Sequence, residues 1–110
     1  MPKTITSPVA RFPGTVTLSD PLTFPQSFAF EDALNAAREL GDNPSLSRAN
    51  YAILPGVLAC VEAWRLEGIP ENPTLEAFPS TPRKPIADLV AWLVNEIGAL
   101  YREADSVPLP

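Results

Sequence analysis

The sequence predicts a mainly α protein: a compact three-helix domain behind an extended, proline-rich N-terminal arm with one candidate short strand. Three observations carry that expectation. Apolar residues recur at helical spacing from Phe30 to Leu40 and from Ile86 to Tyr101. The prolines gather outside those stretches. Gly41 and Gly68 fall where helices are expected to stop.

Hydrophobic residues fill 45% of the 110 positions and charged residues 19%, the balance of a single globular domain. Fourteen prolines are well over twice the roughly 5% usual share. Pro2, Pro8, Pro13, Pro21 and Pro25 lie in the first quarter, and Pro70, Pro73, Pro79, Pro82 and Pro85 crowd one connector. Proline fixes φ and removes a donor, so these clusters outline the elements.

Residues 1–23 read as the arm. Within it, Gly14 to Leu18 (Gly-Thr-Val-Thr-Leu) has the alternation and β-branching of a short strand. The sequence offers that strand no obvious partner. It would pair with another copy or a partner's sheet edge, or else lie as coil against the helices.

A helical domain follows at 24–104. The first helix, 24–40, starts beside Thr23 with Pro25 in its first turn, and Phe30, Ala33, Leu34, Ala37 and Leu40 share a face. Phe24 and Phe28 extend the apolar surface at its start. The second, 46–67, is expected to break at Pro55, because proline cannot donate to the carbonyl of Tyr51. The connector from Ile69 to Lys84 is too rich in proline for regular structure. Within it, Thr74 to Ala77 could form a single turn with Phe78 tucked against the body, and Ser80 or Thr81 could cap the last helix.

That last helix, 83–103, is the cleanest signal. Ile86, Leu89, Val90, Leu93, Val94, Ile97, Leu100 and Tyr101 fall in a stripe of roughly 140° at about 100° per residue. Asp88, Asn95 and Arg102 lie opposite. Residues 105–110 are expected to form a flexible tail.

The net charge is −5 and the eight basic residues are scattered. Nucleic-acid binding needs clustered cations, so no nucleic-acid partner is expected. A mildly acidic surface suits partners with basic segments. No apolar run is long enough for a membrane span, and the N-terminus lacks a signal-peptide core. The expected location is the cytoplasm.

Chemistry is scarce. Histidine is absent, which removes the commonest general base and metal ligand. Cys60 is the single cysteine and has no basic neighbour along its helix to lower its pKa, so it reads as buried packing. Glu31 and Asp32 are adjacent and point apart, and Glu62 and Glu67 share no face. No catalytic, cofactor-binding or metal-ligating residue is predicted, and the chain is expected not to be an enzyme. The candidate partner-binding residues are Trp92, at the border of its apolar stripe, and Leu66, which points away from the apolar side of the expected second helix. Both could equally be packing. Trp64, mid-stripe, reads as core.

Several segments together resemble the small tail assembly chaperones of long-tailed phages and prophages. They are Phe12-Pro13-Gly14-Thr15-Val16-Thr17-Leu18, Asp20-Pro21-Leu22, Phe30-Glu31-Asp32-Ala33-Leu34, Leu54-Pro55 and Ala59-Cys60-Val61. Trp64, the run Glu67-Gly68-Ile69-Pro70-Glu71-Asn72-Pro73-Thr74, Phe78-Pro79 and Thr81-Pro82 follow in the same order. The likeness covers roughly residues 10–103 and includes no catalytic signature. It implies a largely helical, non-enzymatic protein that binds the tape measure protein, keeps it soluble, and helps recruit tail tube subunits in the host cytoplasm. No site residue carries over, because the likeness contains no defined binding motif. Self-association stays open. The alternative is a small structural or adaptor subunit of a phage tail or bacterial complex. A transcriptional regulator is disfavoured by the lack of a basic recognition helix.

Overall fold

The structure, a computed structural model, describes residues 2–42, 45–71, 73–74 and 83–105. In chain order the elements are β1 (Lys3–Thr6), β2 (Gly14–Leu18), α1 (Phe24–Arg38), α2 (Leu46–Cys60), β3 (Val61–Leu66) and α3 (Arg83–Asp105). Among the described residues three helices form, as the periodicity predicts. The fold is nevertheless not all-α, because β1, β2 and β3 pair in that order into an antiparallel sheet.

The first correction concerns the arm. Residues 1–23 hold a β-hairpin in place of the expected proline-rich extended arm. Lys3, Thr4, Ile5 and Thr6 stand opposite Leu18, Thr17, Val16 and Thr15. The loop closes on itself: Ser7 N donates to the Gly14 carbonyl at 2.9 Å and Phe12 N to the Val9 carbonyl at 3.1 Å. Gly14 has φ +140°, and a Cβ there would collide with the Arg65 carbonyl of the neighbouring strand, so only glycine suits this position. Phe12, Val16, Leu18 and Leu22 are all buried. The prolines bracket a strand pair that belongs to the core.

The second correction concerns residues 46–67. The helix runs through Pro55 as one element and ends at Cys60, where the chain goes directly into β3. Pro55 is exposed to solvent. The capping residue Val61 has φ −91° and ψ 123°, already strand geometry. β3 pairs with β2 from Gly14↔Leu66 to Thr17↔Ala63, and the register then slips so that Leu18 faces Val61. Glu62 is the extra residue of a β-bulge.

The sheet has two distinct faces. Val16, Leu18, Val61, Trp64 and Leu66 join the core, with Ile5 packed against it. Trp64 is buried and its indole N–H donates to the Pro70 carbonyl at 2.6 Å, satisfying its polar edge. Thr4, Thr6, Thr15, Thr17, Ala63 and Arg65 alternate onto the other face.

α3 contributes Leu89, Leu93, Ile97 and Leu100 to the same core. Lys3 Nζ lies 3.8 Å from Glu96 Oε2, tying the hairpin to α3. Tyr101 packs on Phe30 at 5.6 Å between ring centroids and donates from its hydroxyl to Glu31 Oε2 at 2.9 Å, tying α3 to α1. The expected connector turn and cap at 75–82 and the tail at 106–110 lie outside the described residues. Among the described residues, no helix is long and apolar enough to cross a membrane.

Candidate functional site

α1 begins with a capping box. Thr23 Oγ1 accepts from Gln26 N at 3.3 Å, and Gln26 Oε1 accepts from Thr23 N at 2.9 Å. The Gln26 amide then donates to Ser19 Oγ at 2.7 Å and to the Ala59 carbonyl at 3.2 Å. One side chain thus fixes the start of α1 against the end of the hairpin and the end of α2. The two helices run antiparallel from there.

They meet closely at Gly56, where an added Cβ would sit 2.5 Å from Ala33 Cβ and 2.8 Å from the Ala29 carbonyl oxygen. Phe30 and Ala33 are the buried residues of α1. Phe28 is two residues from Phe30, which at about 100° per residue places it on nearly the opposite side of the helix. It is 57% exposed, Phe24 one turn earlier is 81% exposed, and their rings stand 6.3 Å apart. Tyr51 on α2 is 68% exposed.

Between the two helices, on the solvent side, runs a shallow apolar groove of two hollows that share Ala52. One, of about 360 Å³, is lined by Ala29, Asp32, Ala33, Ala36, Pro55 and Gly56. The other, of about 410 Å³, is lined by Leu40, Arg48 and Tyr51. The floor consists of small side chains because the helices approach one another at Gly56. Tyr51 lines the far hollow, while Phe24 and Phe28 stand on the outward side of α1, next to Ala29 and Asp32 of the near one.

The sequence-predicted partner residues lie elsewhere. Leu66 is 4% exposed, because it lies on the core face of β3 and not on a helix. It has no surface to offer a partner. Trp92 on α3 is half-buried and packs against the core. Neither lines the α1–α2 groove. The exposed aromatics were legible in part: Phe24 and Phe28 stand out as apolar, and their angular offset from Phe30 was the signal that they face water.

Cys60 is fully buried, and burial pushes its thiol up to about 11. Its Sγ–H donates to the Gln26 carbonyl at 3.7 Å. Such a thiol is protonated at neutral pH and a poor nucleophile. Among the described residues, no group of three or more His, Cys, Asp or Glu side chains is placed to hold a metal ion. No protein-family model, no curated protein and no solved structure matches the chain, so the resemblance to tail assembly chaperones stands on the order of its sequence motifs alone.

Proposed function

We propose that this chain acts by binding another protein, as a tail assembly chaperone that holds the tape measure protein soluble and assists recruitment of tail tube subunits, without catalysis. The observation that carries the reading is the exposure of Phe24, Phe28 and Tyr51 beside an apolar groove. Large aromatic side chains gain from burial, about 1.5–3 kcal/mol for a phenylalanine, and they are the side chains most often found anchoring protein interfaces. A tape measure helix presents apolar stripes until the tail tube encloses it. A groove between two helices is a common receptor for such a segment.

The test is co-expression with the tape measure protein of the same phage or prophage, followed by pull-down from the soluble fraction. The expected result is a soluble complex that is absent when the chain is omitted. A tape measure protein that stays insoluble beside correctly folded chain would sink the chaperone reading and leave the structural or adaptor role.

A further inference from the structure

The charges around the groove say what kind of segment it takes. Residues 20–42 hold five of the 13 acidic residues but one of the eight basic ones, which concentrates the negative charge of the chain around α1. Phe24, Phe28, Asp32, Asn35 and Glu39 follow one another at helical spacing and all are exposed. The outward stripe of α1 therefore passes from two aromatic rings to two carboxylates, and Asp32 also lines the groove. Arg38 lies on the flank, where it donates to Asn35 Oδ1 at 3.2 Å. Across the groove, Arg48 lines the far hollow.

We propose that this groove receives an amphipathic α-helix whose apolar stripe is flanked by lysine or arginine on the side that meets α1. This rests on the protein-binding reading above and names the partner's chemistry. The floor of Ala29, Ala33, Ala36, Ala52 and Gly56 leaves room for branched or long aliphatic side chains of the incoming helix. Tyr51 walls the far hollow, and Phe28 is exposed one turn before Asp32 on the rim of α1. From Phe28 to Glu39 the stripe runs about 17 Å, or three helical turns. An extended strand gains nothing here, because the groove walls are helices whose backbone donors are already used. Phosphate-bearing partners meet like charge along α1. A second copy would bring the same acidic stripe to the same face.

The probes are two synthetic peptides of about 18 residues, long enough to support a helix, with one leucine pattern. One is flanked by lysine and the other by glutamate. Binding to the full chain is measured by fluorescence anisotropy, with thermal melts to verify the fold of every variant. The lysine peptide should bind at least about ten-fold more tightly than the glutamate peptide, and its affinity should fall as salt screens the stripe. The double substitution Asp32→Lys/Glu39→Lys should remove that preference. Glu67→Lys/Glu71→Lys gives the same net charge at exposed positions outside the groove and should leave it intact. Equal affinity for both peptides, equal loss in both double variants, or no binding of the lysine peptide would overturn the assignment.

The two proposals fail separately. If wild-type chain solubilises the tape measure protein and Asp32→Lys/Glu39→Lys does so equally well, the groove is wrong and the chaperone reading stands. If wild-type chain binds the lysine peptide through Asp32 and Glu39 but leaves the tape measure protein insoluble, the groove stands and the chaperone reading falls.

Discussion

Gly56 lies so close to Ala33 that a methyl group added to it would stand 2.5 Å from the Ala33 methyl carbon. The obstruction includes backbone, since the Ala29 carbonyl oxygen would be 2.8 Å away, and no rotamer change relieves it. Replacing Gly56 by Ala gains about 1 kcal/mol of helix propensity, while overpacking a tight contact costs about 1–3 kcal/mol. The clash should win. A chemical-denaturation series should find Gly56→Ala destabilised and Gly56→Val more so. An alanine variant as stable as wild type would mean that the helices can separate freely.

Gly14 makes the same argument for the sheet. With φ +140° and the Arg65 carbonyl in the place of a Cβ, alanine there is both strained and obstructed. Gly14→Ala should lower stability by about 2 kcal/mol or more through loss of β2–β3 pairing. Loss of hydrogen-exchange protection at Arg65 and Ala63 amides would locate the damage; unchanged protection there would refute it.

What was legible in the sequence follows from how local each signal is. α1 and α3 were plain because Phe30, Ala33, Leu34 and Ala37, and the stripe from Ile86 to Tyr101, carry the helical period within one segment. β1 leaves little trace in the sequence because Lys-Thr-Ile-Thr has a single apolar residue, and the strand exists through pairing with residues 15–18. Residues 61–66 read as helix in the sequence for a specific reason. The bulge at Glu62 separates the inward residues Val61 and Trp64 by three positions, and with Val57 ahead of them the spacing imitates a helical face. The same imitation puts Leu66 on the outer side of a helix, whereas it lies buried on the core face of β3. The α1–α2 groove needed the contact of Gly56 with Ala29 and Ala33, which periodicity does not contain.

Aromatic residues on α1 and on α3 should separate folding from binding. Trp92 is half-buried against the core, so Trp92→Ser should cost about 2–3 kcal/mol of stability. Phe24→Ser and Phe28→Ser remove exposed rings and should change stability by less than about 0.5 kcal/mol. In a pull-down of the tape measure protein, the phenylalanine variants should lose partner while melting like wild type. If Trp92→Ser loses partner with an unchanged melt, the binding face belongs on α3.

Cys60 should make stability depend on alkaline pH. Burial raises its folded pKa from 9.0 to about 11, so the native state holds the thiol proton more tightly than the unfolded chain does. The contribution is full below pH 9 and declines as pH rises from 9 to about 11. Cys60→Ala should flatten that decline while losing some packing at all pH values. The native thiol should resist alkylation at pH 8 and react on unfolding; rapid labelling of the folded chain would contradict its burial.

The prolines flanking β1 should keep the sheet edge from pairing. Ser7 N bonds to the Gly14 carbonyl, and antiparallel ladders alternate, so residues 3, 5 and 7 direct their backbone groups toward β2. Thr4 and Thr6 therefore present theirs to the open edge. The close approach of Thr4 and Thr17, with hydroxyl oxygens 3.2 Å apart, is what a pair without mutual backbone bonds produces. The next outward positions on either side are Pro2 and Pro8, neither of which has an N–H to donate. An added strand would find two donors and then stop, too little for a stable ladder. Pro2→Thr/Pro8→Thr lengthens the run of donors without touching the core. In sedimentation velocity across a concentration series, this variant should self-associate more strongly than wild type, with added β signal in the infrared amide band. Identical sedimentation for the two proteins would show that the prolines do not guard the edge.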